Sequence, residues 1–270
     1  PDRRPDRRLD RREVVTRLVP GAALALAAAG WAGERPAGAE GGRRPLALVY
    51  RGKAGCTGCS EAVRTMLVRD PARYRVRYCG PGQEVPVTAR TLAAADLYVQ
   101  PGGGTDLAAA WRAVRPFAGT LRRWVHGGGH YVGICMGGFL AGFDPGYGLL
   151  PGDSGEYAGT PGATVHGGGD TLVTVRWRGH DRTLYFQGGP YFTFRPGAGV
   201  TVLATYTNGL VAAAVARHGA GSVGVVGPHP EAPARWYREA GLSHPHETQL
   251  PLGFDLVRTT VAATAPAARR

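Results

Sequence analysis

Apolar residues fall along the first half of this chain in two alternating rhythms. Leu46 to Tyr50 is an unbroken apolar run, as expected of a strand buried on both faces. Ser60 then precedes Glu61, and Ala62, Val63, Met66 and Leu67 form a stripe at helical spacing, so a helix starts there. Tyr74 to Cys79 alternates well enough for a second strand, closed by Gly80-Pro81-Gly82. A short helical piece, Leu92 to Ala95, precedes a strand over Asp96 to Gln100. Leu107, Trp111, Val114, Phe117, Leu121 and Val125 recur at helical spacing until Gly127-Gly128-Gly129 stops them, with Pro116 as a potential kink. Tyr131 to Ile134 and Val223 to Val226 complete the set of buried strands. Strands alternating with helices predict an α/β domain, a parallel sheet with helices on both faces.

After Gly142 the rhythm changes. Gly148 to Gly169 is rich in Gly, Pro, Ser and Asp and reads as loop. Thr171 to Arg178 and Thr183 to Gln187 read as strands, and Thr201 to Tyr206 and Val211 to Ala216 flank Asn208-Gly209, a strong hairpin signal. These strands predict an antiparallel C-terminal extension of the same sheet. Ala232 to Ala240 suits a helix, and Ala262 to Arg270 a frayed tail.

Charge refines this picture mainly at the N-terminus. The chain has 32 basic and 20 acidic residues, net +12, yet Lys53 is its single lysine. No aromatic-interleaved basic motif concentrates the arginines, so nucleic acid is not an expected partner. Arg-rich residues 1–17 lead into the apolar stretch Leu18 to Trp31, which is too short for an ordinary membrane span, and then into Ala37-Gly38-Ala39. Arg11-Arg12 precedes the apolar stretch as in a twin-arginine export signal. The expected organisation is an export signal peptide over 1–39, a linker over 40–44, one domain over 45–261 and a tail over 262–270. The chain is expected outside the cytoplasm, with the export machinery as a partner and no membrane span after cleavage.

The candidate chemistry lies at strand ends. Gly133-Ile134-Cys135-Met136-Gly137 has the G-x-nucleophile-x-G form of an elbow. Small residues on either side let a strand turn sharply into a helix, holding Cys135 strained and exposed with the helix amides aimed at its thiol. Pro101-Gly102-Gly103-Gly104 follows another strand, and such a loop brings backbone amides close to a reacting carbonyl; Gly103, Gly104 and Met136 are the candidate oxyanion and substrate contacts. His229-Pro230-Glu231 follows a third strand and supplies a base with a carboxylate to orient it. All three fall where open α/β sheets place their sites, beyond the carboxyl ends of the strands. Gln187-Gly188-Gly189-Pro190-Tyr191-Phe192 is a further glycine loop suited equally to lining the pocket and to a plain turn. Cys56 and Cys59 form Cys-Thr-Gly-Cys. Zinc would need a fourth ligand and the surrounding pattern is not that of a thioredoxin, so in an exported chain a Cys56–Cys59 disulfide leads, with Cys79 a competing partner. No metal or cofactor is expected.

Pro-Gly-Gly-Gly, Gly-Ile-Cys-Met-Gly-Gly and Gly-Pro-His-Pro-Glu together resemble the class I glutamine amidotransferase-like superfamily. Within it, the chain resembles the family named for the N-terminal domain of biotin–protein ligases, over roughly Pro45 to Asp255. That resemblance implies a flavodoxin-like α/β fold with Cys135 as nucleophile, His229 as base and Glu231 as its partner. One departure matters. Superfamily glutaminases carry Gln two residues after the second elbow glycine, where Phe139 stands here, which argues against glutamine as substrate. The expected function is therefore a cysteine hydrolase or amidase acting on a small-molecule or peptide amide. A non-catalytic binding module that keeps the elbow pocket, or a redox sensor using Cys135, are the alternatives.

Overall fold

The structure, a computed structural model, describes residues 43–243 and 249–263. The expected export signal at 1–39, most of the linker and residues 264–270 of the expected tail lie outside the described residues. No described helix is long and apolar enough to cross a membrane.

One mixed sheet organises the chain. Its parallel half comprises β1 (Leu46–Tyr50), β2 (Arg75–Cys79), β3 (Leu97–Gln100), β4 (His130–Ile134) and β11 (Gly221–Val226), in the order β2-β1-β3-β4-β11. Beyond β11 every pairing is antiparallel. There β10 (Val211–His218), β9 (Thr201–Tyr206), β6 (Thr171–Trp177) and β7 (His180–Phe186) continue the sheet, while β5 (Gly152–Glu156) and β8 (Pro190–Phe194) branch from β10. The predicted division into a parallel core and an antiparallel C-terminal extension is thus observed.

Alternation along β1 shows how the two faces are filled. Ala47 and Val49 join the core under α1 (Cys59–Arg69) and α6 (Leu250–Ala262), the helix after α5 (Ala234–Glu239), against Val63, Met66, Leu256 and Val257. Leu48 and Tyr50 point the other way, into the core under α3 (Leu107–His126), against Val114, Phe117 and Leu121. Because both faces are covered, β1, β3 and β4 are buried at every residue, which explains their unbroken apolar sequences. Asp106 caps α3, its carboxylate accepting from the Ala109 amide, and the helix continues through Pro116. A short helix α2 (Ala89–Ala93) starts three residues before the predicted piece, because its N-cap Thr88 forms a capping box with Thr91.

Three elements depart from the sequence reading. β5 lies inside the stretch read as loop, and β8 overlaps the Gln187–Phe192 stretch read as a glycine loop. Both strands are short, and β5 has the sequence Gly-Asp-Ser-Gly-Glu. Its ladder with β8 runs through close backbone approach at Gly152, where a Cβ would overlap the Thr193 carbonyl, rather than through apolar alternation. The third is α6, which ends at Ala262, inside the expected tail. Its apolar face is interrupted by Gly253, which sits directly on Met66 of α1, so that a Cβ there would collide with the Met66 sulfur.

Candidate functional site

β4 leads straight into α4 (Met136–Leu140), and Cys135 is the residue between them, at φ 50° and ψ −108°. A non-glycine residue in this region stores roughly 1–3 kcal/mol of strain, tolerated only where the surroundings fix it. Here they do. The Cys135 amide donates to the Val226 carbonyl (2.9 Å), and its own carbonyl accepts from the Gly138 and Phe139 amides (2.7 and 3.1 Å). The flanking glycines are required by close approach: a Cβ on Gly133 would overlap the Gly137 carbonyl, and one on Gly137 the Gln100 carbonyl. The Gly137 carbonyl also accepts from the buried Tyr131 hydroxyl at 2.7 Å. Cys135 itself is 6% exposed.

His229 follows β11 and is 3% exposed. Its amide donates to the Tyr185 carbonyl of β7 at 2.9 Å, which bridges the parallel half of the sheet to the antiparallel half. Its Nδ1 pairs with the Glu231 carboxylate at 2.9 Å, and the Glu231 side chain is fully buried. With Nδ1 engaged, Nε2 is the nitrogen left for chemistry, and it has no hydrogen-bond partner among the described residues. Burial alone would lower the imidazole pKa, but the Glu231 carboxylate and then the Cys135 sulfur outweigh it, raising the pKa to about 10. The sulfur is therefore close enough to act on the imidazole's charge, and the thiol also donates to the Gln187 carbonyl at 3.6 Å.

Gly102 packs on the His229 ring, where a Cβ would lie 2.7 Å from Cε1. Gly103 abuts the start of α4, where a Cβ would lie 2.8 Å from the Met136 Cγ. Two cavities open at this end of the sheet. One, of about 510 Å³, is lined by Cys135, Met136, Gly103, Gly104, Gln187 and Gly188, with Phe139 on its wall. The other, of about 360 Å³, contains His229. Cys56, Gly103 and Gln187 line both and form the partition between them. Cys56 is bonded to Cys59 at the first residue of α1, with Cα atoms 5.3 Å apart. Cys79 and Cys135 are free thiols, and burial pushes the Cys79 pKa up to about 12.

Of the predicted site residues, Cys135, Met136, Gly103, Gly104 and Gly188 share one cavity, with His229 and Glu231 beside it. Gly189 is in neither cavity lining and packs against the Gly227 carbonyl, which a Cβ there would overlap. Sequence reasoning did not single out Tyr185, Asp170, Trp236 and Glu239, which surround His229. They come from three separate segments, and no local motif joins them. Among the described residues, no three His, Cys, Asp or Glu side chains converge to hold a metal.

No protein-family model and no curated protein matches the chain. Among solved structures, a glutamine amidotransferase from Methylobacillus flagellatus superposes with a TM-score of 0.49 at 11% identity, over 84% of this chain and 98% of that one. A cytoplasmic protein from Salmonella typhimurium LT2 gives 0.49 at 13% identity, over 80% and 98%. A protein described as ThuA-like, from Bacteroides uniformis, gives 0.47 at 13% identity, over 85% and 96%. At these values the similarities assign no activity to the chain.

Proposed function

We propose that this chain is an exported cysteine hydrolase or amidase of the glutamine amidotransferase-like superfamily, acting on an amide other than glutamine. One observation carries the reading: a buried histidine, held through Nδ1 by a buried carboxylate, keeps Nε2 unpartnered beside a cysteine on a strained elbow. In this mechanism the Cys135 sulfur attacks the carbonyl carbon and the amides of Gly103 and Met136 receive the developing oxyanion. The His229 imidazolium protonates the leaving amine, and the neutral imidazole then activates water against the thioester. Glu231 holds the ring orientation and offsets its charge. The finer kinship with the family named for the N-terminal domain of biotin–protein ligases rests on the three sequence motifs. Export rests on the Arg11-Arg12 pair, the apolar stretch and Ala37-Gly38-Ala39.

A second reading, a binding module that keeps the pocket without turnover, is favoured by the thiol's contact with the Gln187 carbonyl. Alkylation by iodoacetamide as a function of pH separates the two. The enzyme reading expects Cys135 to react at neutral pH far faster than Cys79, with the rate falling by about two orders of magnitude in His229→Ala and less in Glu231→Gln. A Cys135 whose rate rises only near pH 8.5, as a free thiol does, and which ignores His229→Ala, would leave the binding module.

A further inference from the structure

The linings of the two cavities at the candidate site carry acidic side chains and no Arg or Lys: Glu156 in the larger, Asp170 and Glu239 in the smaller. None of the three carboxylates forms an ion pair among the described residues. In the smaller cavity they accompany aromatic rings. Tyr185 and Trp236 lie 5.4 Å apart by ring centroids, and His229 is 5.9 Å from the first and 5.6 Å from the second. Tyr185 is buried, and burial together with the nearby Asp170 carboxylate raises its hydroxyl pKa, so the ring presents a neutral phenol.

We propose that the smaller cavity is a subsite for an organic cation, a primary ammonium or a guanidinium, carried by the substrate of Cys135. This rests on the hydrolase reading for the word substrate, and on the cavity itself for the cation. Aromatic faces attract a cation through the ring quadrupole, most strongly for Trp, and the Asp170 and Glu239 carboxylates, although exposed to solvent, add a negative potential beside the rings. A bare metal ion would want more oxygen donors and no rings; an alkylammonium or guanidinium group uses both kinds of wall. The positive charge of His229 does not cancel this field, because Glu231 neutralises it at 2.9 Å. The partition shared by the cavities places the cation on the far side of Cys56, Gly103 and Gln187 from the thiol. The scissile amide is therefore expected a few bonds from the charged group rather than next to it.

The test has two arms. In the first, tryptophan emission of the whole protein is titrated with n-butylammonium, n-butanol and butyrate. A saturable change is expected with the cation alone, lost in Trp236→Phe, and with affinity reduced about 10-fold in Asp170→Asn/Glu239→Gln and by added salt. In the second, Cys135 is alkylated by 2-bromoethylammonium or iodoacetamide; in each case the thiolate forms a thioether and expels halide. Relative to free cysteine, the cationic reagent is expected to gain about 10-fold over the neutral one, an advantage that the carboxylate double variant removes. Equal responses to cation and alcohol, or a charge preference untouched by the double variant, would overturn the subsite. If Cys135 instead reacts sluggishly with both reagents, the hydrolase reading falls and the butylammonium titration alone decides the cavity.

Discussion

The elbow after β4 and the turn between β9 and β10 use glycine in opposite ways. In the parallel half, Gly133 and Gly137 are small because backbone presses on backbone: carbonyl oxygens occupy the space a Cβ would need. In the antiparallel half, Gly209 in the β9–β10 turn has open space around it and is needed for its dihedral, φ 86°. The elbow therefore holds a strained cysteine by crowding, and the hairpin turns its corner by conformational freedom. The site stands on the seam, with Cys135, Gly103 and the Cys56–Cys59 bond from the first half and Gln187, Gly188 and Tyr185 from the second.

The sharpest way to break this contrast is to add a methyl group on each side. Gly137→Ala is expected to cost roughly 3 kcal/mol or more, because the clash is with the Gln100 main chain and cannot be relieved by a rotamer. Gly209→Ala is expected to cost about 1 kcal/mol, the ordinary penalty for a left-handed residue. Urea denaturation of both variants measures the gap, and equal losses would mean that crowding at the elbow is not special.

Next in size is the pH dependence of the seam itself. The folded-state pKa of His229 is raised, to about 10, above the ordinary 6.5. Its protonation therefore adds stability that is complete below pH 6.5 and disappears as pH rises through 10. The wild type should lose stability relative to His229→Gln over that window, with a limiting slope of about 1.4 kcal/mol per pH unit. Denaturation midpoints from pH 6 to 10.5 test the sign; parallel curves would show that the imidazole is not held charged by Glu231 and Cys135.

A smaller effect is expected from Cys56→Ser/Cys59→Ser. The closed loop is short, so the loss of chain constraint is about 2 kcal/mol, and the fold should survive. The alkylation rate of Cys135 should change in this variant, because Cys56 lines its cavity. An unchanged rate would confine the bond to a role in stability.

Legibility in the sequence followed apolar patterning rather than the seam. The parallel strands were readable because burial on both faces leaves unbroken apolar runs such as Leu46 to Tyr50. Cys135 was readable as a candidate because it directly follows such a run, and His229 and Glu231 because they lie within five residues of another, Val223 to Val226. β5 was not, because a strand of Gly-Asp-Ser-Gly-Glu pairs through its main chain and carries no apolar signal. α6 was missed because Pro251 and Gly253 look like breakers, although the proline occupies the first turn, where it is tolerated, and the glycine is where the helix meets Met66. The carboxylates and rings around His229 could not be found by local reading, since only the antiparallel return of the chain brings them together.

Gly253 has a mechanical meaning as well. With no side chain there, α6 seats flush on α1, and α1 begins at Cys59, whose bonded partner forms part of the wall between the two cavities. The last helix thus acts as a thrust bearing for the first. A load applied near the end of the chain, from a fused tag or a docked protein that levers α6 outward, would reach the aperture at Cys135 through two rigid rods and one covalent pin.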